Sequence, residues 1–418
     1  MDNNQKTIIV YENWSSKEPI RLGWLYVNSE RGLERYSFEY DKDWIKSGGT
    51  AFVLDPELSL YHGRQYPINK AMFGLFSDSA PDRWGRALMD RRERLLARSE
   101  GRKPRKLYES DYLIGVYDET RMGALRFKLD EDSEFLSNDR ETASPPWACL
   151  RSLEEAVREF EKDKNLMSKK WLEQIIRPGS SLGGARPKAG IEDEKGELWI
   201  AKFPSKHDEI DVGAWEKVTH DLAEMCGLDV PKSKIERYSE LGSTFLVKRF
   251  DRNGQRRIHF ASAMTMLGRV DGASAQDGAS YLDILSFIRS NGARPAEDSK
   301  ELFRRIVFNM AVSNTDDHLR NHGFLLTANG WRLSPLFDVN PNLYGDALAL
   351  NVSETDNTIS LKLALETAGY YGFLPGEARR EADTILKTVR ENWRYLAEKH
   401  GISRSSAEYM SPAFSICG

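Results

Sequence analysis

The side chains most suited to chemistry lie in one segment, residues 313–338. Its sequence is SNTDDHLRNHGFLLTANGWRLSPLFD, in which Asn321 follows Asp316 by five residues and Asp338 follows Asn321 by seventeen. Phosphoryl transfer needs one carboxylate to orient the attacking hydroxyl and further oxygen ligands to hold Mg²⁺ on the nucleotide phosphates. The segment therefore contains the carboxylate and amide oxygens that this chemistry uses.

The order of these groups is also informative. Residues 323–327 and 331–333, separated by Ala-Asn-Gly, predict a β-hairpin between Asn321 and Asp338. Protein kinases have the order Asp-x-x-x-x-Asn, hairpin, Asp. Asn, Asp and Gly are also common turn residues, so a polar loop without chemistry is the alternative interpretation. A kinase would need further parts elsewhere in the chain.

Two upstream segments supply candidates for those parts. Residues 175–191 are rich in Gly and Ser and predict a turn, in which Gly183 and Gly184 would let backbone N–H groups approach an anion. The next run, ELWIAKF, alternates as a strand does and carries Lys202 near its end. An ordinary hairpin with a surface lysine is the alternative. Glu216, on an amphipathic helix predicted for 211–226, is a candidate partner for Lys202, although a solvent-facing glutamate is the simpler interpretation.

A zinc site is a different hypothesis for the same aspartate segment. His318 and His322 have the His-x-x-x-His spacing that binds zinc on a helix. However, the residues around them predict a loop, and no glutamate precedes either histidine as it does in metalloproteases. We expect His318 to brace the loop by hydrogen bonding instead.

The rest of the chain predicts an α+β protein with a strand-rich half before a helix-rich half. Short β-branched and aromatic runs predict strands at 7–28, 37–40, 51–58, 234–238 and 244–250. Helical patterns occupy 81–98, 281–290, 300–312, 359–367 and 375–400. Asp298 and Glu301 predict the start of the third of these helices, whose apolar face would deliver the chain rigidly to Asp316.

Composition indicates an ordinary soluble protein. The chain has 418 residues, 40% of them hydrophobic, and a formal net charge of −4, which gives no global argument for nucleic acid or membrane binding. No apolar run reaches membrane-spanning length, and the N-terminus lacks the features of a secretory signal. The three cysteines have no metal-binding spacing. We therefore expect a cytoplasmic protein with reduced thiols.

One charged run stands out. Residues 91–106 contain eight basic and two acidic side chains at the end of a predicted helix. A solvated face is the favoured interpretation. A contact with DNA phosphates or an acidic partner is the alternative.

Taken together, several segments resemble the HipA-like serine/threonine kinases, which are toxins of bacterial type II toxin–antitoxin modules. They are FGLFSDSAPDRWGR, SSLGGARPK, WIAKFPS, VKRFDR, NTDDHLRNHGF and LSPLFDV, and the resemblance covers most of the chain. It implies a bilobed, protein-kinase-like fold with an extra N-terminal subdomain. The implied domains are 1–107, the N-terminal subdomain; 108–248, the N-lobe with the glycine loop and strand lysine; and 249–418, the helical C-lobe.

The resemblance also implies residue roles, with ATP and Mg²⁺ as cofactors. Asp316 is the expected catalytic base, and Asn321 and Asp338 are the expected magnesium ligands. The remaining nucleotide contacts implied are Gly183, Gly184, Ala185, Lys202, Lys248, Arg249, Phe250, His318 and Asn321. Family members autophosphorylate a serine in the glycine-loop region, which switches them off, and Ser181 lies at that place, with Ser180 as its competitor.

Family toxins phosphorylate aminoacyl-tRNA synthetases, notably the glutamyl enzyme, and are neutralised by a DNA-binding antitoxin of the HipB type. The resemblance therefore implies these partners, with operator DNA bound mainly through the antitoxin and no membrane partner. Two departures affect the expectation: Asp317 replaces a common glycine and would add negative charge near the metal, and Arg186-Pro187 replaces a frequent Gln-Glu pair. A non-catalytic or self-inactivated protein that binds the antitoxin is the alternative.

Overall fold

The structure, a computed structural model, describes residues 5–49, 51–68, 70–136, 146–162 and 186–417. The chain forms two compact units. The first comprises Met1–Lys206 and Asp251–Ala261, and the second comprises His207–Phe250 and Ser262–Gly418. The division into domains at 1–107, 108–248 and 249–418 stays a prediction.

The strands within the described residues are β1 (Gln5–Glu12), β2 (Ile20–Glu30), β3 (Leu33–Tyr40), β4 (Leu125–Lys128), β5 (Lys188–Glu192), β6 (Leu198–Lys202), β7 (Ser233–Ser239), β8 (Gly242–Lys248), β9 (Arg252–Asn253), β10 (Arg256–Arg257), β11 (Phe260–Ser262), β12 (Gly323–Thr327) and β13 (Gly330–Leu333). The α-helices within them are α1 (Lys42–Lys46), α2 (Gly74–Ser77), α3 (Arg83–Ser99), α4 (Glu109–Ile114), α5 (Leu150–Lys162), α6 (Val212–Met225), α7 (Ala263–Met266), α8 (Tyr281–Asn291), α9 (Pro295–Ala311), α10 (Leu361–Thr367), α11 (Pro375–Lys399) and α12 (Arg404–Met410). This mixed content confirms the α+β prediction. None of these helices is long and apolar enough to cross a bilayer.

The first unit is built on an antiparallel sheet with the order β3-β2-β1-β4. Alternate side chains of its strands, such as Ile8, Val10, Leu25 and Phe127, are buried on one face, as the β-pattern predicts. Strands β5 and β6 pair in the antiparallel direction, with Lys188 opposite Lys202. The predicted strands at 7–28 and 37–40 are confirmed.

The predicted strand at 51–58 is wrong. Asp55 is fully buried there, and its carboxylate accepts hydrogen bonds from the backbone N–H groups of Glu57 and Leu75 at 2.9 and 2.8 Å. A side chain that binds the backbone two residues on favours a turn, and this competes with a strand ladder. Residues 51–58 consequently form turns and bends.

The second unit is mainly helical and carries the β7–β8 and β12–β13 hairpins. Trp215, Val218 and Leu222 of α6 are buried as predicted, but Met225 at the end of that helix is 49% exposed. The helices predicted at 281–290, 359–367 and 375–400 are confirmed as α8, α10 and α11.

Helix α9 is also confirmed, but it begins five residues earlier than predicted, at Pro295. Asp298 does not cap it. The Asp298 carboxylate instead accepts hydrogen bonds from Arg332 Nε and Leu333 N, each at 3.0 Å. Because Pro fits the first turn of a helix, Pro295 starts α9, and Asp298 is left to join α9 to strand β13.

Candidate functional site

Helix α9 positions the aspartate segment, as its sequence predicts. Its apolar residues are buried: Leu302, Phe303, Ile306, Val307 and Met310. The helix ends at Ala311, and Ser313 then adopts a left-handed conformation with φ 49°. This turn leads the chain out of the core, so that Asp316 is exposed only five residues after the last helical residue. A rigid buried helix thus ends next to the candidate catalytic carboxylate.

Asp317 is the buried centre of this loop. Its Oδ2 atom accepts hydrogen bonds from Tyr281 Oη at 2.6 Å, from Asn309 Nδ2 at 2.7 Å and from His322 Nε2 at 2.8 Å. The residue is 1% exposed. The Asp317 carboxylate binds these interior donors, and its negative charge also raises the pKa of Asp316, so the expectation that Asp317 adds negative charge near the metal stays a prediction. Asp317 therefore anchors the loop that carries Asp316 to helices α8 and α9 and to His322.

The histidine that braces the loop is His322, and the prediction of His318 for this role is wrong. The His322 side chain is completely buried and donates to Asp317. His318 is half-buried, and its Nδ1 atom has no hydrogen-bond partner among the described residues. The segment between the two histidines, Leu319–Asn321, is a single 3₁₀ turn. His322 therefore faces the interior, which disagrees with the zinc hypothesis of two histidines on one exposed helical face.

Asparagine side chains join the loop that contains Asp316 to the loop that follows Asp338. Asn314 Nδ2 donates to Asn309 Oδ1 at 3.1 Å, and the Asn340 N–H donates to Asn314 Oδ1 at 3.4 Å. Asn342 donates from Nδ2 to Thr315 Oγ1 at 2.7 Å and from its backbone N–H to the Ser313 carbonyl at 3.1 Å. The loop that contains Asp316 and the loop that follows Asp338 are thus joined by hydrogen bonds of both side chains and backbone.

Asp338 has an unusual backbone conformation. Its φ is +59°, in the left-handed region that few residues other than Gly, Asn and Asp adopt. The next carbonyl, that of Val339, accepts a hydrogen bond from Thr219 Oγ1 of helix α6 at 2.6 Å. The preceding side chain, Phe337, packs on Phe250 with ring centroids 5.5 Å apart. Such conformations persist where the surroundings fix them, and they cluster at functional sites.

The electrostatics of Asp316 indicate that the two candidate carboxylates are close. Partial desolvation raises the pKa of Asp316, and the negative charges of Asp338 and Asp317 raise it further, while His318 opposes them. Carboxylates that repel one another bind a cation well, because the cation relieves their repulsion.

The donor atoms at this place suit Mg²⁺. Asn321 Nδ2 donates to the Asp316 carbonyl at 3.0 Å, which turns its amide oxygen away from that bond. A half-buried Asp338 carboxylate and an Asn321 amide oxygen are the hard oxygen ligands that Mg²⁺ prefers. Asp316, Asn321 and Asp338 all lie in the second unit, as do Lys248, Arg249 and Phe250.

The structure describes two further predicted site residues, Lys202 and Glu216. Lys202 is half-buried at the end of β6 in the first unit. Glu216 of α6 is 3% exposed, so the interpretation of it as a solvent-facing side chain is wrong. The glycine-loop residues lie outside the described residues: Ser180, Ser181, Gly183, Gly184 and Ala185.

Sequence reasoning missed most of the residues that hold the site in place. Tyr281 is 36 residues upstream of Asp317, and nothing in its sequence context indicates the contact. Asn309 gave a usable signal, because it is the one polar residue in the apolar run from Ile306 to Val312. Buried polar side chains need hydrogen-bond partners, so Asn309 could have been expected to bind a loop residue.

Comparison with known proteins agrees with the resemblance to HipA-like kinases that the sequence indicates. The model of the family described as "HipA-like C-terminal domain" matches residues 180–393. A protein of Sinorhizobium fredii named as a candidate kinase is 32% identical over 149 residues, which are 34% of this chain and 33% of that protein. The serine/threonine-protein kinase toxin HipA of Shewanella oneidensis is 23% identical over 200 residues, which are 41% of this chain and 45% of that protein. The chain thus spans less than half the length of either relative.

A solved structure shares the fold over nearly the whole chain. It is the Shewanella oneidensis toxin–antitoxin complex of HipA, HipB and operator DNA, and it is similar with a TM-score of 0.66 at 17% sequence identity, covering 98% of this chain and 96% of that chain. The likeness confirms the kinase-like α+β fold.

Proposed function

Because this chain belongs to the HipA-like C-terminal domain family, we propose that it is an ATP-dependent serine/threonine protein kinase. One observation carries the proposal. Asp316 and Asp338 interact electrostatically on two loops that asparagine side chains bind together, with the Asn321 amide beside them. That is the set of groups that phosphoryl transfer from a nucleotide requires.

In the proposed reaction, Asp316 accepts a hydrogen bond from the substrate hydroxyl and orients its oxygen toward the γ-phosphorus. Asn321 and Asp338 would hold Mg²⁺, which when bound neutralises charge on the phosphates. Lys202 is the proposed further positive charge on the phosphates. Catalysis then consists mainly of positioning and charge stabilisation.

The nucleotide has further proposed contacts. Gly183, Gly184 and Ala185, which lie outside the described residues, are proposed contacts of the phosphates, as is His318. The adenine binds along Lys248, Arg249 and Phe250. The contact between Phe250 and Phe337 supports this assignment, because it joins the proposed adenine segment to the residue before Asp338.

The biological role proposed is that of a toxin in a toxin–antitoxin pair. Support comes from the relative named as a kinase toxin and from the solved complex that contains HipA, HipB and operator DNA. The proposed partner is a HipB-like DNA-binding antitoxin, and operator DNA is bound mainly through it. The proposed substrate is an aminoacyl-tRNA synthetase, with the glutamyl enzyme favoured. Autophosphorylation of Ser181, or less readily Ser180, switches the kinase off.

The test uses the purified chain after phosphatase treatment, incubated with labelled ATP and Mg²⁺. We expect label on the chain itself and, in cell extract, on a protein of synthetase size. Asp316→Asn should abolish both signals, and Asp271→Asn, a change on an exposed surface, should leave both intact. If the treated wild-type chain incorporates no label but still binds a DNA-binding partner, the non-catalytic alternative is correct.

A further inference from the structure

A basic surface in the first unit is not used by the proposed kinase site. With 3.6 residues per turn, Arg83, Arg94 and Arg98 fall within about 60° of one another around helix α3. All three are exposed, and Lys103 and Lys106 are exposed in the loop that follows. We refer to these five residues as the α3 basic surface.

The acidic residues of the same region accept hydrogen bonds from groups outside this surface, including Asp90 on α3, which accepts one from Tyr112 Oη at 2.7 Å. Glu93 accepts hydrogen bonds from Arg102 Nη1 at 2.5 Å and from the Arg105 N–H at 2.8 Å, and Glu100 accepts one from Arg102 Nε at 2.5 Å. The Arg105 guanidinium binds Asp111 at 2.8 Å. Within the described ranges, no acidic side chain forms an ion pair with any member of the α3 basic surface. Its positive charge is therefore available to a partner.

Helix α3 fixes the backbone positions of the three arginines of this surface. Trp84 and Leu88 are buried on its inner side. The Arg86 guanidinium makes two hydrogen bonds of 2.6 Å to the Glu109 carboxylate, which attaches α3 to helix α4. A preorganised surface loses less conformational entropy on binding than a flexible one.

The chemistry of the surface favours one class of partner. Between residues 83 and 106, all of which the structure describes, no large hydrophobic side chain is exposed. Protein–protein interfaces have an apolar, aromatic-rich centre, and single-stranded nucleic acids bind exposed aromatic rings, so this surface suits neither. Duplex phosphates require only spaced cations. We propose that the α3 basic surface binds the phosphate backbone of duplex DNA directly, without sequence preference.

This contact goes beyond the proposed function, in which DNA is bound mainly through an antitoxin. It predicts that the chain alone, without antitoxin or nucleotide, binds DNA in a salt-dependent manner. Five phosphate contacts give a slope of about −4.5 for log K against log salt concentration. Affinity should then fall roughly 500-fold between about 50 and about 200 mM KCl.

The experiment measures fluorescence anisotropy of a short labelled DNA duplex of arbitrary sequence with the full-length protein over that salt range. The triple variant Arg83→Gln, Arg94→Gln, Arg98→Gln should reduce the slope to about −1.8, because two lysines remain. The double variant Lys103→Gln, Lys106→Gln should reduce it to about −2.7. Both variants change exposed residues outside the kinase site and should retain ATP-dependent labelling.

A matched control removes the same charge from the second unit. Arg379, Arg380 and Lys387 are exposed on helix α11, and their combined replacement by Gln should leave the slope unchanged. The proposal is overturned if the wild-type chain does not bind DNA, or if the control variant loses as much binding as the α3 variant. It is also overturned if poly-L-glutamate competes as well as DNA, which would indicate an acidic protein partner. No nucleotide is present, so these outcomes are distinct from any failure of the kinase proposal.

Discussion

His322 Nε2 lies 2.8 Å from Asp317 Oδ2, and both side chains are buried within the loop that carries Asp316. This contact closes a loop of six residues, because Asp317 and His322 enclose the 3₁₀ turn that ends at Asn321. The candidate base and the candidate magnesium ligand are therefore held by the same buried pair. The position of the exposed Asp316 carboxylate therefore depends on hydrogen bonds in the protein interior.

Replacement of Asp317 by Ala should destabilise the second unit strongly. Three buried donors, on Tyr281, Asn309 and His322, would lose their common acceptor. Losing one partner of a buried polar network costs roughly 3–5 kcal/mol. Urea unfolding followed by tryptophan fluorescence measures the change.

Tyr281→Phe provides the graded comparison for that experiment. It removes one donor and leaves the other two on Asp317, so it should cost about 1 kcal/mol. Asp271→Ala, on an exposed loop, should change the free energy of unfolding by less than about 0.5 kcal/mol. Equal stability of the Asp317→Ala and Asp271→Ala variants would show that the buried network does not hold the loop.

Asp298→Ala should also destabilise this unit, because it separates the first turn of α9 from strand β13. The Asp298 carboxylate is 3% exposed and binds both Arg332 and the Leu333 N–H. A buried N–H without its acceptor costs about 1–3 kcal/mol. Chemical unfolding of Asp298→Ala beside Glu297→Ala, its exposed neighbour, tests this, and a cost no larger than that of the control would contradict it.

There is a physical reason why the sequence predicted some elements correctly and others not. Helix α9 and the β12–β13 hairpin were predictable because periodic burial and two strand runs around a short polar turn are local signals, although the turn residues are Ala328 and Asn329 and Gly330 already belongs to β13. The start of α9 was mispredicted because Asp298 binds a strand that lies far along the chain. The role of His322 was missed for the same reason, since one histidine cannot be distinguished from another four residues away without knowing which faces the core.

The helix pair α6 and α11 should show pH-dependent stability through Asp221. Burial tends to raise the pKa of Asp221, but hydrogen bonds from His400 and Lys217 outweigh it and hold the pKa at about 2, below the ordinary 3.8. A depressed folded-state pKa stabilises the protein above the unfolded value and loses this contribution as pH falls through the folded value. The contribution should therefore disappear between about pH 4 and about pH 2.

Asp221→Asn measures that contribution. At neutral pH the variant should be less stable than the wild type by at most about 2 kcal/mol, and the difference should shrink as the pH falls toward about 2. Asp271→Asn, a change in an exposed carboxylate, serves as the control. A difference between wild type and Asp221→Asn that is constant with pH would contradict the assigned interaction.

The most direct test of the central claim separates nucleotide binding from phosphoryl transfer in two variants. Calorimetric titration with ATP and Mg²⁺ should show that Asp316→Asn binds nucleotide nearly as tightly as the wild type, while single-turnover transfer from labelled ATP falls by several orders of magnitude. Asp338→Asn should lose the magnesium-dependent part of nucleotide binding. Undiminished transfer by Asp316→Asn, or unchanged magnesium-dependent binding by Asp338→Asn, would contradict the account.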